Sequence, residues 1–342
     1  MLLIQSDRFD VSTIDVLDWL RFLDEKVVLG TFNDITTIKE IVYKISNDQH
    51  ESLVLKTDKG KIHSEEIDAF WYRRGAFNHQ PTDGQATCTN QHLLHQRFQR
   101  NFYREREHID QCIETLLHCN GKINTYQENF TNKIANLSTA KKTGLKIPDT
   151  LITNDLDELL LFSKKHPKIL TKDIEFDSIN FTYDEMHNVS IYTTVSILTS
   201  DDIKSLRKKE KKGTPPHFSL FQQYVEKKIE LRIFYLNGIF YPMAIFSQAN
   251  DKTKYDHRNY DRKRPNRCVP YKLPDHIESR LCTFMQELKL NSGSIDMILT
   301  PERDYVFLEV NPVGQFQWVS RYCNYDIEKE IASQLLKTNY EK

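Results

Sequence analysis

The segment 307–316, FLEVNPVGQF, is the stretch that decides the fold. Its first half has the apolar character of a β-strand, and Pro312 and Gly314 end the run. Within it Glu309 and Asn311 are two residues apart, so their side chains lie on the same face of the strand. An acid and an amide on one face of an otherwise apolar strand need a chemical explanation.

The segment just before this strand supplies a pairing partner. SIDMIL (294–299) and YVFLEVN (305–311) flank the turn PERD, and this arrangement predicts a β-hairpin. A symmetric closure of the turn places Asp296 opposite Glu309, so that Asp296, Glu309 and Asn311 share one face. The two carboxylates repel each other unless a cation lies between them. Mg²⁺ holding nucleotide phosphates prefers such oxygen ligands. The alternative is an ordinary exposed strand face with scattered polar residues.

The bulk properties exclude several classes of protein. The chain has 342 residues, 47 Lys and Arg against 48 Asp and Glu, and 39% hydrophobic residues. The near-zero net charge provides no global field for nucleic acid or membranes. The six cysteines lack CxxC pairs and dense spacing, which favours reduced thiols. The apolar run before Asp7 is too short for a signal peptide, and no stretch is long enough to span a membrane. We therefore expect a cytoplasmic protein that binds neither nucleic acid nor membranes.

The order of the predicted elements indicates an α/β (α+β) protein of three domains: 1–120 with a long helix at its end, 121–200, and 201–342. Ser12 and Asn154 are the predicted caps of two helices. AFWYRRG (69–75) and SIYTTVSIL (190–198) are each predicted as one strand. Asn237-Gly238 between two β-rich segments predicts a tight hairpin.

Further charged residues lie at positions that suit phosphate chemistry. Lys133 is predicted on a helix and Lys172 on a strand; a lone lysine there is more often solvated, but it can also bind phosphate as a point charge. Glu230 and Arg232 share one face of a predicted strand, where a surface salt bridge is the alternative. The sequence contains neither GxxxxGK[ST] nor GxGxxG, so neither a P-loop nor a Rossmann site is expected.

The order of these residues along the chain resembles that of the ATP-grasp ligases. It consists of two lysines (Lys133 and Lys172), a hinge strand at Gln223, Tyr224 and Val225, an ExR pair (Glu230 and Arg232), and a D…ExN set (Asp296, Glu309 and Asn311). The segment LNSGSIDMILTPERDYVFLEVNPVGQFQWV resembles their peptide-macrocyclising branch, the microviridin-type graspetide synthetases. It is most similar to the peptide maturases of grasp-with-spasm systems. AFWYRRG and the KLP before residues 275–289 fit the same branch, so the resemblance covers nearly the whole chain. It implies the ATP-grasp fold, with ATP between the central and C-terminal domains.

The resemblance also implies roles for individual residues. The Mg²⁺ ligands are expected at Asp296, Glu309 and Asn311, the last of which also contacts the nucleotide. The ATP-binding residues are expected at Lys133, Lys172, Gln223, Tyr224, Val225 and Glu230. The lysines contact phosphate, the three hinge residues contact adenine, and Glu230 contacts the ribose hydroxyls or a nearby polar network. Arg232, which faces the γ-phosphate, and Lys172 are the expected catalytic residues.

The substrate side is predicted from charge. An acidic peptide side chain favours arginine partners, and the candidates are Arg73, Arg74 and Arg258. Strand alternation would send Arg73 and Arg74 to opposite faces, so that one of them is structural. The basic run 204–212 is either a solvated helix end or a lid over phosphates. The oligomeric state stays open, with a homodimer among the options.

The function implied by the resemblance is ATP-dependent closure of side-chain esters or amides in a ribosomal precursor peptide of leader and core. The activated group is a Glu or Asp carboxylate, and the nucleophile is a Ser or Thr hydroxyl or a Lys amine. Three alternatives remain: an ATP-grasp ligase that joins a free amino acid or small molecule to a carboxylate, a nucleotide-regulated peptide-binding protein without activity, and a kinase that stops at phosphotransfer. The ring pattern and the precursor do not follow from the sequence.

Overall fold

The computed structural model describes most of the chain, in these ranges: 1–7, 9–24, 29–32, 36–47, 51–79, 92–117, 121–174, 179–184, 187–191, 195–209, 217–250, 252–254 and 261–340. The contacts between residues divide it into two compact units. Unit 1 consists of Met1–Thr131, Leu290–Gly293 and Asn311–Lys342, and unit 2 consists of Asn132–Lys289 and Ser294–Val310. Arg258 lies outside the described residues.

The described strands, in chain order, are β1 (Leu2–Gln5), β2 (Leu29–Phe32), β3 (Thr37–Lys44), β4 (Ser52–Thr57), β5 (Lys61–His63), β6 (Ala69–Tyr72), β7 (Asn78–His79), β8 (Gly121–Ile123), β9 (Thr150–Thr153), β10 (Lys168–Lys172), β11 (Ile179–Asp184), β12 (His187–Ile191), β13 (Ser196–Thr199), β14 (Ser219–Gln223), β15 (Ile229–Leu236), β16 (Ile239–Phe246), β17 (Arg267–Pro270), β18 (Ser292–Leu299) and β19 (Tyr305–Asn311). The described α-helices are α1 (Val11–Leu23), α2 (His92–Leu116), α3 (Lys133–Lys142), α4 (Leu156–Lys165), α5 (Ser200–Lys209), α6 (Asp275–Glu287), α7 (Gln317–Cys323) and α8 (Ile327–Tyr340).

Unit 1 is built on a parallel sheet in the order β2-β1-β6-β8. Every residue of β1 and β6 is buried, as their nearly continuous apolar sequences predict for parallel strands covered on both faces. Helix α8 packs against β6, β8 and α1. A second sheet, β5-β4-β3-β7, shares a core with β1, β6 and α2 in which Leu3, Leu55, Phe70 and Ile113 are almost fully buried.

Unit 2 contains an antiparallel sheet in the order β13-β10-β14-β9 and a five-stranded sheet in the order β17-β16-β15-β18-β19. Helices α4 and α5 cover the first sheet, with Leu159, Ile169 and Ile203 in their shared core. The second sheet contains the predicted hairpin strands β18 and β19 as neighbours, with β15 on the other side of β18. This order places the three strands that carry the predicted acidic and basic residues side by side.

The Asn237-Gly238 hairpin is confirmed. Leu236 and Ile239 are paired across the turn, and both central residues have positive φ, 45° at Asn237 and 91° at Gly238. A two-residue turn with both φ angles positive matches the twist of the flanking strands, and the Asn-Gly pair adopts it at low cost.

Two predicted helix caps were wrong by one or two residues. The cap of α1 is Asp10, whose side chain accepts from the Ser12 N–H, and the cap of α4 is Asp155 instead of Asn154. In both cases a carboxylate is available within two residues of the predicted cap. A carboxylate also interacts favourably with the positive end of the helix dipole.

Two predicted strands also differ from the structure. The strand predicted over 69–75 ends at Tyr72, so Arg73 and Arg74 follow it in a non-repetitive segment. The strand predicted over 190–198 is divided into the end of β12 and the start of β13, and residues 192–194 between them are outside the described part. Strand β3, which is exposed along much of its length, was missed because it lacks a clear apolar period.

The mixed α/β fold class is confirmed by the parallel and antiparallel sheets and their covering helices. The three-domain division remains a prediction. In the part of the chain that the structure describes, no helix combines the length and apolar character needed to cross a membrane. The cysteines Cys112, Cys268, Cys282 and Cys323 are free thiols.

Candidate functional site

The candidate site lies in unit 2, where β15, β18 and β19 are adjacent strands. Strand β15, IELRIFYL, is buried along nearly its whole length, yet it carries Glu230 and Arg232. Strands β18 and β19 contribute Asp296 and Glu309, whose side chains are 16% and 15% exposed. Charged side chains in such a sheet must be balanced, because an unpaired buried charge costs several kcal/mol.

Arg232 balances Asp296. Its Nη1 donates to both carboxylate oxygens, at 2.9 Å to Oδ1 and 2.7 Å to Oδ2. The Nε of Arg232 is buried and has no hydrogen-bond partner. A buried guanidinium with an unused donor is suited to an additional anionic acceptor.

Two lysines approach Glu309. Lys172 Nζ, at the end of β10, lies 3.4 Å from Oε2, and Lys133 Nζ lies 3.9 Å from the same oxygen. Lys133 is the first residue of α3, directly after its cap Asn132, which fixes where its side chain begins. The side chain of Lys133 is 43% exposed, so that its ammonium group can move toward a ligand. Both predicted phosphate-binding lysines are thus brought to one of the two predicted metal-binding carboxylates.

An open cavity adjoins these charges. Of the predicted nucleotide and metal residues, its lining includes Lys172, Gln223, Tyr224, Val225, Glu230, Asp296 and Glu309. Its apolar walls consist of Pro148, Leu170, Val195, Leu231, Met297, Ile298 and Leu308. An apolar cavity with convergent charges at its wall is typical of a site for a ligand with an aromatic ring and an anionic part.

The sequence reasoning missed one charged residue of the lining. Lys227 lies in the segment between β14 and β15 and is 8% exposed. Its Nζ is 2.9 Å from Oε1 of Glu230. The KKIE segment around it looks like a solvated basic turn, and only the three-residue spacing between Lys227 and Glu230 could have indicated a pair.

The donor set fits a magnesium ion. Asp296 and Glu309 provide hard carboxylate oxygens of the kind that Mg²⁺ prefers. Asn311, the last residue of β19, belongs to unit 1, and its role as a third ligand stays a prediction. No cluster of three or more His, Cys, Asp or Glu side chains suited to a metal occurs among the described residues. Within unit 2 the candidate set therefore depends on two carboxylates, with phosphate oxygens and water as further ligands that Mg²⁺ commonly takes.

Unit 1 contains a second open cavity at the predicted substrate arginines. Arg73 is 3% exposed. Its guanidinium contacts Asp10 Oδ2 at 2.9 Å and Ser12 Oγ at 3.0 Å, donates to the carbonyl of Val313 at 3.0 Å, and lies over the ring of Phe316. Burial lowers the pKa of Arg73 to about 10. Arg73 therefore holds the segment after β19 against the start of α1.

Arg74 is more accessible than Arg73. Its side chain is 37% exposed, with Nε 3.6 Å from Oδ2 of Asp10 and without a hydrogen-bond partner. The predicted placement of the two arginines on opposite faces is wrong, because the strand ends before them and both approach one carboxylate. Burial by itself raises the pKa of Asp10, but Arg73, the Ser12 hydroxyl and Arg74 hold that pKa below its usual range.

No protein-family model and no curated protein matches the chain. Solved structures do. The macrocyclase MdnC of Microcystis aeruginosa MRC, bound with its precursor peptide MdnA, has a TM-score of 0.71 at 23% identity, over 98% of this chain and 99% of MdnC. A RiPP-associated ATP-grasp ligase of Chryseobacterium gregarium, in complex with ADP and a leader and core peptide, has a TM-score of 0.72 at 21% identity, over 98% and 96% of the two chains.

A third similar structure is the ATP-grasp ligase PsnB complexed with a phosphomimetic variant of its minimal precursor, Mg and ADP. It has a TM-score of 0.65 at 14% identity, over 99% of this chain and 98% of PsnB. These likenesses extend over nearly the full length of each chain. They confirm that the chain has the ATP-grasp fold, as the sequence predicted. The position of ATP within it stays a prediction.

Proposed function

We propose that the protein is an ATP-dependent ligase that closes side-chain esters or amides within a ribosomally made precursor peptide. The observation that supports this most strongly is a cluster of two carboxylates and three cations in unit 2: Asp296, Glu309 and Lys172 line one cavity, Arg232 contacts Asp296, and Lys133 lies near Glu309. In the ATP-grasp fold such charges are suited to a nucleotide triphosphate with its metal ion.

In this proposal the parts of the nucleotide are contacted by the predicted ATP-binding residues. Gln223, Tyr224 and Val225 contact adenine, Glu230 accepts from the ribose hydroxyls, and the two lysines and Arg232 contact phosphates. Asp296, Glu309 and Asn311 hold Mg²⁺, which neutralises charge on the phosphate oxygens when it is bound. In the complex, Asp296 and Glu309 would exchange their ion pairs for the metal ion, and Arg232, Lys172 and Lys133 would be released to contact the phosphates.

The reaction needs activation because a carboxylate does not condense with an alcohol or amine in neutral water. A peptide Asp or Glu oxygen attacks the γ-phosphorus of ATP, and ADP leaves. A Ser or Thr hydroxyl or a Lys amine of the same peptide then attacks the acyl carbon, and phosphate leaves. Arg232 and Lys172 stabilise the charge on the transferring group. Water must be excluded, since it would hydrolyse the acyl-phosphate.

The substrate class is proposed from the cavity of unit 1 and from the similar structures, which are bound with precursor peptides. Of the two described arginines, Arg74 is the better partner for an acidic peptide side chain, because Arg73 is buried and already contacts several acceptors. Arg258 is kept as a third candidate outside the described residues. The free thiols are consistent with the proposed cytoplasmic setting.

Mass spectrometry tests the proposal. The candidate precursor to look for is a short peptide, encoded by a neighbouring reading frame and rich in Thr, Ser or Lys together with Asp or Glu. It is incubated with the protein, ATP and Mg²⁺, and each ring formed removes the mass of one water. A peptide that gains a stable phosphate indicates a kinase, and turnover that needs a free amino acid instead of the peptide indicates the small-molecule ligase. Nucleotide binding with no change in any peptide indicates a binding protein without activity.

A further inference from the structure

A buried polar network surrounds Glu230 in unit 2. Lys227 Nζ lies 2.9 Å from Oε1 of Glu230, and the Ser247 hydroxyl donates to the same oxygen at 2.5 Å. The side chains of Lys227 and Glu230 are only 4% and 10% exposed, and Ser247 is fully buried. The proposed reaction gives no role to Lys227 or Ser247.

Because Glu230 is buried, its carboxylate needs these contacts in order to stay charged. A carboxylate removed from water loses its hydration, and an unpaired one neutralises by taking up a proton. Lys227 supplies the opposite charge and Ser247 supplies a hydrogen bond, and both favour the ionised form. Because both donors act on Oε1, they also fix the position of the carboxylate at the cavity wall.

Each donor is itself anchored. Lys227 precedes Lys228, whose backbone N–H donates to the carbonyl of Leu299 at 2.8 Å, so the segment before β15 is tied to the end of β18. Ser247 directly follows β16, and its carbonyl accepts from Thr253 Oγ1 at 2.9 Å. Thr253 is fully buried. Lys227 precedes Glu230 in the sequence and Ser247 follows it, and each is held by a hydrogen bond of the nearby backbone. The position of either donor therefore does not depend on the Glu230 carboxylate.

We propose that Lys227 and Ser247 are positioning residues that keep Glu230 ionised and fixed, so that the site selects ribonucleotides over 2′-deoxyribonucleotides. The inference rests on the proposed function, in which Glu230 accepts from the ribose of ATP. An ionised carboxylate has only acceptor sites, so it can accept hydrogen bonds from two neighbouring hydroxyls. A protonated carboxyl group carries an O–H donor on one oxygen and has less capacity to accept. A hydrogen bond to a charged group corresponds to about 10- to 100-fold in affinity.

The test compares the dissociation constants of ATP and 2′-deoxy-ATP in the presence of Mg²⁺, measured by titration calorimetry. The wild-type protein is expected to bind ATP at least about tenfold more tightly than 2′-deoxy-ATP. Lys227→Met and Ser247→Ala are expected to bring this ratio close to one, mainly by weakening ATP. Lys227→Arg, which keeps the charge, retains most of the preference. The matched control is Lys228→Met, since Lys228 is the exposed neighbour and its side chain does not line the cavity.

The ratio separates positioning from a merely structural role, because general damage to the site weakens both nucleotides alike. If Lys227→Met does not fold, Ser247→Ala alone gives the same test, because it removes a donor to Glu230 and leaves the carboxylate in place. An unchanged ratio in folded variants overturns the inference and leaves the ligase function intact. A wild-type protein without any preference also overturns it. A wild-type protein that binds neither nucleotide overturns the proposed function together with this inference.

Discussion

Asp296 and Glu309 are charged groups whose partners are the cations that the proposed function assigns to phosphate. Asp296 is held by Arg232, and Glu309 lies near Lys172 and Lys133. Each carboxylate is balanced without a ligand, so the sheet does not carry an unpaired buried charge. In the proposed function the same residues would exchange these partners for a Mg²⁺-nucleotide.

We predict that Asp296→Asn and Glu309→Gln each reduce the rate of water loss from the peptide by about 100-fold or more, the size expected when a group that helps balance transition-state charge is removed. The amides keep an acceptor oxygen for Arg232 or Lys172 and therefore the fold, which circular dichroism checks. Glu302→Gln, an exposed change in the turn of the same hairpin, is the control and should leave the rate unchanged. A variant of Asp296 or Glu309 with normal rates would remove the metal assignment.

Glu114 gives a prediction about pH in unit 1. Burial raises its pKa from 4.5 to about 7, the hydrogen bond from the Tyr126 N–H acts in the opposite direction, and Glu128 and Asp110 raise it further. Because the folded pKa lies above the unfolded one, the stability contributed by the protonated form is complete below about pH 4.5 and is lost as the pH rises through 7.

We expect Glu114→Gln, which stays neutral and still accepts from Tyr126, to raise the free energy of unfolding by about 2 kcal/mol at pH 8 and by little at pH 4.5. Urea denaturation at the two pH values measures the difference. Glu105→Gln, an exposed change on the same helix, is the matched control. An equal effect of Glu114→Gln at both pH values would show that its pKa is not raised.

At the scale of elements, the sequence predicted those whose pattern reflects burial or a specific turn. Strands β18 and β19, the Asn237-Gly238 hairpin and the long helix α2 were all predicted, because alternation, turn chemistry and helical spacing are local signals. Strand β3 was missed since its exposed residues carry no period. Lys227 was missed because its pairing with Glu230 depends on burial, which the local sequence does not reveal.

The corrected cap of α4 can be tested directly. Asp155 accepts from the backbone N–H groups of Asp157 and Glu158, so Asp155→Ala should lower the free energy of unfolding by about 1 kcal/mol. Asn154→Ala is the matched control at the neighbouring position and should cost much less. Chemical denaturation of both variants shows which residue caps the helix. A larger loss of unfolding free energy in Asn154→Ala would support the cap that the sequence predicted.

At the scale of the whole molecule, the candidate nucleotide cavity is lined by residues of unit 2, and the cavity with Arg73 and Arg74 is lined by residues of unit 1. The resemblance found in the sequence identified the fold because the ATP-grasp motif combines residues from strands that are distant along the chain. No single local pattern shows that these distant strands belong to one site. The three-domain division stays a prediction, since domain boundaries depend on which elements pack together.

We predict that a Mg²⁺-bound, non-hydrolysable ATP analogue slows amide hydrogen exchange most in β15, β18 and β19 of unit 2. Ligand binding stabilises the folded form by about 2.7 kcal/mol at a concentration 100 times the dissociation constant. The parallel sheet of unit 1 provides the internal control. Protection confined to that sheet, with none in unit 2, would place the nucleotide elsewhere.

The most direct test of the central claim follows the oxygen atoms of the peptide carboxylate. The precursor peptide is labelled with oxygen-18 in its Asp and Glu side chains and incubated with the protein, ATP and Mg²⁺. Activation as an acyl-phosphate predicts that each ring closure transfers one labelled oxygen to the released phosphate, which mass spectrometry of the phosphate detects. Rings that form while the phosphate remains unlabelled would contradict the account.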